Sequence, residues 1–216
     1  MNTLITILSK SPNTILYHCI YNLYKFQIKD ESHEKICVVD SDSDDLSIYN
    51  KIREDFPNVE ICLIKNKNYE YSAWNYTYAR YPNYDIYICI QDSVIPVNTV
   101  PLSIVNNENA FIFYEDSGYN SHMSIKEMGI ESLKKSKLSE FDYTNTIHTD
   151  FRMAAHNSFI VNNYVMNGIL NTFTDPPLNK DDACIYERNY GLYFILHNIN
   201  THNLYYYFGK YHGKRN

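Results

Sequence analysis

The sequence predicts one α/β domain with a mainly parallel central sheet flanked by helices. Three observations predict it. Short apolar runs alternate with longer amphipathic segments through residues 1–97, in the order β-α-β-α-β-α-β, the spacing of right-handed crossover units. The run Tyr84–Ser93 interleaves Ile86, Ile88 and Ile90 with Tyr87 and Cys89, so both of its faces are apolar, as in a central strand covered on both sides. The chain has 216 residues, 44% of them hydrophobic and 20% charged, which suits one domain with a core of useful size.

The elements follow in order. Thr3–Leu8 reads as a buried strand. Ser11 and Pro12 supply an N-cap and a first-turn proline for a helix with Ile15, Leu16, Cys19, Ile20, Leu23 and Tyr24 on its apolar face. Lys35–Val39 is the second strand, ending in Asp40-Ser41-Asp42. Asp44 or Asp45 caps the next helix, which Pro57 stops. Val59–Ile64 is a third strand, and a tyrosine-rich helix runs from Tyr69 to Tyr81 around Ala73 and Trp74. The second half is less regular. It reads as a strand at Ala110–Tyr114, a helix at Ser124–Lys137, a polar loop over the site at Phe141–Arg152, and a strand at Ser158–Val161. A helix at Asn163–Leu170 follows, then a helix capped by Asp181 and Asp182, an aromatic strand at Leu204–Phe208 and a basic tail.

Composition excludes several function classes. The net charge of −6 leaves no basic footprint for nucleic acid. All six glycines (Gly118, Gly129, Gly168, Gly191, Gly209 and Gly213) lie in the second half. The first half therefore has no glycine-rich phosphate loop of the dinucleotide or P-loop type. The five cysteines are far apart, most of them inside apolar runs, and read as reduced core thiols of a cytosol-like compartment. No apolar run is long enough to span a bilayer and no signal peptide precedes the first strand, so the expected location is cytoplasmic. The 22 tyrosines could stack on sugars, although biased composition explains them as well.

Candidate chemistry gathers at strand ends. Asp92, between Gln91 and Ser93, lies where open α/β sheets bind ligands. It could place an acidic oxygen on a hard divalent cation beside substrate phosphates; the same residue could simply open a turn before Pro96. Asp40-Ser41-Asp42-Ser43-Asp44 resembles a calcium loop, but its sixth position is Asp45 rather than glycine and its twelfth is Lys51 rather than glutamate. It reads as a helix cap or as a ligand contact. One aspartate holds a metal poorly, so a distal ligand is needed; His212 is the candidate and His202 its rival, with Lys214 placed to pair with a diphosphate. Asp181 and Asp182 suit a general base facing an acceptor hydroxyl or the acidic first turn of a helix; Glu187 lies further along. No G-x-S-x-G elbow supports a serine nucleophile.

The order of pieces resembles a glycosyltransferase of the GT-A fold. The run Asn68-Tyr-Glu-Tyr-Ser72-Ala-Trp-Asn75, then Tyr84 to Ser93, looks like that family's donor-binding helix followed by its D-x-D strand, here Gln91-Asp92-Ser93 with one acid in place of two. The whole resembles the N-terminal glycosyltransferase domain of large DNA viruses of the chlorovirus type, which begins a longer enzyme building capsid glycans. The resemblance implies a Rossmann-like GT-A domain over residues 1–216, with a nucleotide-sugar-binding half at 1–97 and an acceptor-side half with the tail at 98–216. It implies transfer of a hexose or deoxyhexose from a UDP-sugar to an oligosaccharide or glycoprotein, assisted by Mn²⁺ or Mg²⁺, in the host cytoplasm. Ser9, Lys10 and Asp40 would hold the nucleoside, and Tyr71, Ser72 and Asn75 the ribose and diphosphate. Asp92 and His212 would bind the metal, Lys214 the phosphate, and Asp181 or Asp182 would face the acceptor. A non-catalytic module that binds a nucleotide-sugar or carbohydrate is the alternative.

Overall fold

The computed structural model describes residues 1–66, 68–114, 123–139 and 151–211. A seven-stranded sheet runs in the order β3-β2-β1-β4-β7-β6-β8. Its strands are β1 (Thr3–Ser9), β2 (Glu34–Asp40), β3 (Glu60–Leu63), β4 (Ile86–Gln91), β6 (Asn109–Ile112), β7 (Phe159–Asn162) and β8 (Asn200–Asn203). The β1–β2, β1–β4 and β2–β3 pairs are parallel. β7 reverses direction against both β4 and β6, while β8 returns parallel to β6. A second, two-stranded sheet pairs β5 (Val94–Pro96) with β9 (Phe208–Lys210) in antiparallel fashion. The sheet is thus mainly parallel across its first half, as the repeated strand–helix alternation dictates.

Helices α1 (Thr14–Phe26), α2 (Ile48–Asp55), α3 (Tyr69–Arg80), α4 (Met123–Lys134), α5 (Asn163–Thr172) and α6 (Lys180–Leu196) cover the sheet. Alternation along each strand divides the core in two. Ile5, Ile7, Ile36, Val38, Ile86, Ile88 and Ile90 pack with Leu16, Cys19, Ile20 and Leu23 of α1 and Tyr49 and Ile52 of α2. Leu4, Cys37, Val39, Tyr87 and Cys89 face the other way, onto Trp74 of α3, Val165 and Met166 of α5 and Tyr190 and Phe194 of α6. Among the described residues, no helix is long and apolar enough to cross a membrane.

Three local expectations differ from the structure. Asn13, not Ser11, caps α1: its side-chain oxygen accepts the Ile15 N–H at 2.8 Å. Ser11 instead turns the chain through a left-handed conformation with φ of 60° and donates its N–H to Ser43 Oγ at 2.9 Å. Ahead of α2, Asp45 accepts the Ser47 N–H at 2.8 Å, and Ser47 occupies the cap position without a side-chain cap bond. The aromatic segment at Leu204–Phe208 is not one strand: Leu204–Tyr206 forms a 3₁₀ turn between β8 and β9, because the chain must leave the large sheet to reach the small one. The polar loop expected at Phe141–Arg152 lies outside the described residues up to 150.

Four of the five cysteines, Cys19, Cys37, Cys62 and Cys89, are buried free thiols, and Cys184 is partly exposed.

Helix α6 crosses the segment before β7 at close range. A methyl group on Gly191 would stand 2.3 Å from the Arg152 carbonyl oxygen and 3.1 Å from Met153 Cα. Both neighbours are backbone, and the Ala154 N–H donates to the Glu187 carbonyl at 2.9 Å one turn earlier, so neither side can give way easily. Gly191→Ala is expected to destabilise the fold by about 1–3 kcal/mol, read as a lower urea midpoint. An unchanged midpoint would mean that the helix shifts freely at this crossing.

Candidate functional site

A cavity of about 310 Å³ opens at the carboxyl ends of the parallel strands, lined by Leu8, Lys10, Ser41, Tyr69, Glu70, Gln91 and Leu178. It sits over the β1–β4 pair. That pair is where the strand order reverses, since the chain builds outward to β2 and β3 on one side and to β4 on the other. Loops diverge at such a switch point and leave a crevice.

The strand-end side chains are tied to one another. Ser9, the last residue of β1, donates its hydroxyl to Asp92 Oδ2 at 2.9 Å, and both residues are buried. The Asp92 N–H donates to the Leu8 carbonyl at 3.0 Å, extending the ladder past β4. Asp40 is buried and fully engaged. Its Oδ1 accepts the N–H groups of Asp42 and Ser43 at 3.0 and 2.8 Å, and its Oδ2 accepts the Tyr49 hydroxyl at 2.6 Å. Asp40 therefore shapes the loop after β2, and Ser41 is what that loop shows to the cavity. Lys10 lines the cavity directly.

The first turn of α3 enters the cavity through Tyr69 and Glu70 rather than through the three residues expected from that helix. The Tyr71 hydroxyl donates to the Thr174 carbonyl at 2.7 Å, Ser72 Oγ to the Tyr69 carbonyl at 3.0 Å, and the Asn75 amide to the Tyr71 carbonyl at 3.1 Å. Tyr69 has φ of 52°, a left-handed turn at the first residue of α3, and Glu70 after it is buried.

Behind Glu70 lies an acidic cluster that the sequence pattern did not reveal. Its carboxylate receives the Gln91 side-chain amide on one oxygen and the Asn157 amide on the other, the latter at 3.1 Å. Burial raises its pKa against the lowering effect of these bonds and of Lys210. Glu187, on α6, accepts the His156 N–H at 2.8 Å. Burial above all, with the Glu70 charge adding to it, pushes its carboxyl up to about 7, although His156, Arg188 and Lys210 pull the other way. His156 and Asn157 hold φ of 56° and 48°. Two successive left-handed residues without glycine are strained, and they aim one N–H at Glu187 and one amide at Glu70. Lys210, on β9, reaches Gln91 Oε1 at 2.9 Å and Ser93 Oγ at 2.8 Å.

The remaining expected residues fall elsewhere. Asp182 Oδ2 accepts the Leu178 N–H at 2.9 Å, and the Asp182 N–H donates to Asn179, the actual cap of α6, at 2.9 Å. Asp181 is exposed in the same first turn. Asp182 also lines a second hollow of about 190 Å³ with Asp175, Pro176 and Tyr186, and Leu178 is common to both cavities. His202 meets Asn109 at 3.3 Å and packs against Phe111. His212 and Lys214 lie outside the described residues. Asn157 was missed because it stands in no motif; Glu70 was passed over inside a run read for Tyr71, Ser72 and Asn75. Lys210 was seen only as the first residue of the basic tail, and that basic tail was the one available signal.

Among the described residues, the donor set at Asp92 offers a divalent cation little; His212, the expected distal ligand, lies outside them. The set provides one carboxylate, whose Oδ2 already accepts the Ser9 hydroxyl. The oxygens on either side in sequence, Gln91 Oε1 and Ser93 Oγ, are held by an ammonium. Among the described residues, no three His, Cys, Asp or Glu side chains converge on a metal position.

Several solved structures share this arrangement of strands and helices. Crystalline TarS 1-349 of S. aureus in complex with UDP-GlcNAc matches the whole of this chain with a TM-score of 0.61 at 14% identity. The chain has the GT-A glycosyltransferase fold. Other GT-A structures agree. S. aureus TarS matches over 96% of this chain at 10% identity with a TM-score of 0.57. GalNAc-T7 with UDP, GalNAc and Mn²⁺ matches over 87% at 9% identity with a TM-score of 0.55. This chain covers 60%, 36% and 40% of those three chains, respectively. No family model and no curated protein matches the sequence. The GT-A likeness is thus one of fold.

Glu187 makes stability depend on pH in a defined direction. Its folded pKa of about 7 lies above the ordinary 4.5, so the folded state binds more protons than the unfolded one between these values. The stabilisation is complete below about 4.5 and is lost as pH rises through about 7, a total of about 3 kcal/mol. Glu187→Gln removes this dependence. The difference in unfolding free energy between variant and parent is expected to move by about 3 kcal/mol in favour of the variant from pH 4.5 to 8. Parallel pH profiles would show that Glu187 titrates normally.

Proposed function

We propose that this chain is a glycosyltransferase that moves a hexose or deoxyhexose from a UDP-sugar to a hydroxyl group of a glycan or glycoprotein. The observation that carries this reading is the crevice at the β1–β4 switch point, with a carboxyl group near neutrality beside it. The nucleoside lies against the ends of β1 and β2, where Ser9 and Asp40 fix the loops and Lys10 and Ser41 line the wall. The sugar lies toward Glu70, Gln91 and Asp92. The acceptor enters past Leu178, from the hollow beside Asp182, with Asp181 and Asp182 as carboxylates on that side. GT-A neighbours with UDP-GlcNAc or UDP bound support the choice of donor class, and the resemblance to capsid-glycan enzymes supports the acceptor class.

In the transfer, the bond between the sugar's anomeric carbon and the diphosphate oxygen breaks, and its electron pair leaves with the diphosphate. A bond from the acceptor oxygen to the anomeric carbon forms. The acceptor proton passes to Glu187, whose pKa of about 7 suits a general base working near neutral pH. Asp182 is the less suited acid, because its carboxylate is held by the turn it closes. Among the described residues no three His, Cys, Asp or Glu side chains converge on a metal position, and the transfer is written through the side chains alone. A non-catalytic nucleotide-sugar-binding module is the second reading, favoured by the single acid at Gln91-Asp92-Ser93.

The test is release of UDP from a panel of UDP-sugars, with and without glycan acceptors, across pH. Turnover should rise with pH and level off above about 7, with Glu187→Gln lowering it about 10²–10⁴-fold while leaving donor binding intact. Donor binding with no turnover under any condition would favour the binding module. Turnover that is insensitive to Glu187→Gln would return the base to Asp181 or Asp182.

A further inference from the structure

The wall of the crevice carries a carboxylate whose orientation is set from both sides. Glu70 is buried and lines the cavity beside Tyr69, Gln91 and Leu178. Its carboxylate takes the Gln91 amide on one oxygen and the Asn157 amide on the other, and its own main-chain N–H adds to them. Both amides are locked in one orientation. Gln91 Oε1 accepts from the Lys210 ammonium at 2.9 Å, which leaves the Gln91 NH₂ for Glu70. The Asn157 NH₂ serves Glu70 at 3.1 Å and the Ala183 carbonyl at 3.4 Å; an inverted amide would set oxygen against oxygen at both. A carboxylate accepts at about four positions. The donors on the protein therefore leave Glu70 with capacity for a further hydrogen bond.

We propose that Glu70 reads the donor sugar: its carboxylate accepts a hydrogen bond from one ring hydroxyl and so selects donors that carry that hydroxyl. The inference rests on the nucleotide-sugar reading above. Charge decides which part of the donor meets this acid. An ionised diphosphate has no proton to give and repels a carboxylate, whereas a sugar hydroxyl donates and a carboxylate only accepts. Lys10 and Ser41 stand on the wall at the ends of β1 and β2, so the neutral part of the donor is the part that reaches Glu70. The Tyr69 ring and Leu178 add apolar wall beside it, the mixture of apolar surface and a few placed polar groups that binds small ligands. Selection by such a group is sharp. A site built to bond a hydroxyl rejects the analogue lacking it, because a buried polar group is then left short of its partner. Glu70 moves no proton and forms no bond to carbon in this role. Gln91 and Asn157 are the positioning residues that hold it in register with the sugar.

The experiment is calorimetric titration of the full chain, with Mn²⁺ present, using UDP, a panel of UDP-hexoses, and the monodeoxy analogues of whichever UDP-hexose binds best, for the parent and Glu70→Gln. The parent is expected to bind at least one UDP-hexose about tenfold or more tighter than UDP, the value of a hydrogen bond to a charged group. One monodeoxy analogue should lose that gain. Glu70→Gln should move two affinities in opposite directions. The UDP-hexose weakens about tenfold, while UDP binds as tightly or more tightly, because a negative charge has left the crevice. A pocket that is merely loosened weakens both together. That result, or an unchanged UDP-hexose affinity in the folded variant, overturns the proposal and leaves the nucleotide-sugar reading standing. A parent that binds UDP-hexoses no tighter than UDP, or binds every monodeoxy analogue equally well, overturns it even where the variant fails to fold. A parent that binds neither UDP nor any UDP-hexose sinks the nucleotide-sugar reading and this inference with it.

Discussion

The parallel pairing of β1 with β4 is the constraint on which the rest depends. These strands lie far apart in sequence, yet their ladder runs from Thr3↔Ile86 to Leu8↔Gln91 without a break. It ends in the bond between Ser9 and Asp92, two residues separated by 83 positions. Once this pair forms, the loops after β1 and β4 must part, because β2 continues on one side and β7 on the other. The crevice follows from topology before any side chain fills it. Alternating residues along the same two strands feed both halves of the core, so the strands that create the crevice also make it rigid.

Charge in the site is managed by distribution rather than by neutral pairing. The Glu70 charge adds to burial in raising Glu187, and Asp92 adds its field to burial in pushing up the Cys19 thiol. Against these stand the Lys210 ammonium on β9, the Arg188 guanidinium 3.7 Å from the Glu187 carboxylate, and a set of amides: Gln91, Asn157 and the main-chain N–H of His156. Amides satisfy carboxylate lone pairs without supplying a full charge. The left-handed turn at His156 and Asn157 is the backbone deformation that places two of those donors. Strain held in this way is a mark of a geometry fixed by its surroundings.

Much of the fold was legible because period and run length decide it. Ile86, Ile88 and Ile90 with Tyr87 and Cys89 could only be a strand buried on both faces, and the α1 face from Leu16 to Leu23 could only be helical. β7 read as a strand from Phe159, Ile160 and Val161, but its antiparallel direction was not legible, since direction depends on the path of the chain between elements. The short β5 and β9 escaped notice because three residues give no period. In the site, Asp92 was named from its place at a strand end and Lys10 from the family resemblance; Lys10 lines the cavity. Glu70 and Asn157 were hidden because each acts through a local backbone turn, at Tyr69 and at His156, that composition does not announce. Tyr71, Ser72 and Asn75 came from the family resemblance, yet their polar groups are spent on nearby carbonyls. Asp40 was expected as a helix cap or a ligand contact; it caps no helix and instead holds the loop through Asp42, Ser43 and Tyr49.

The position of Lys210 bears on how the molecule comes together. Its partners Gln91 and Ser93 lie 119 and 117 residues away, and the strand that carries it pairs with β5 over only three residue pairs. Contacts this distant close late, because a long loop must be ordered before they return any stabilisation. Until β9 docks, Glu70 and Glu187 lack the ammonium that lowers both. The docking of a strand of three residues thus sets the charge balance of acids carried by two distant helices.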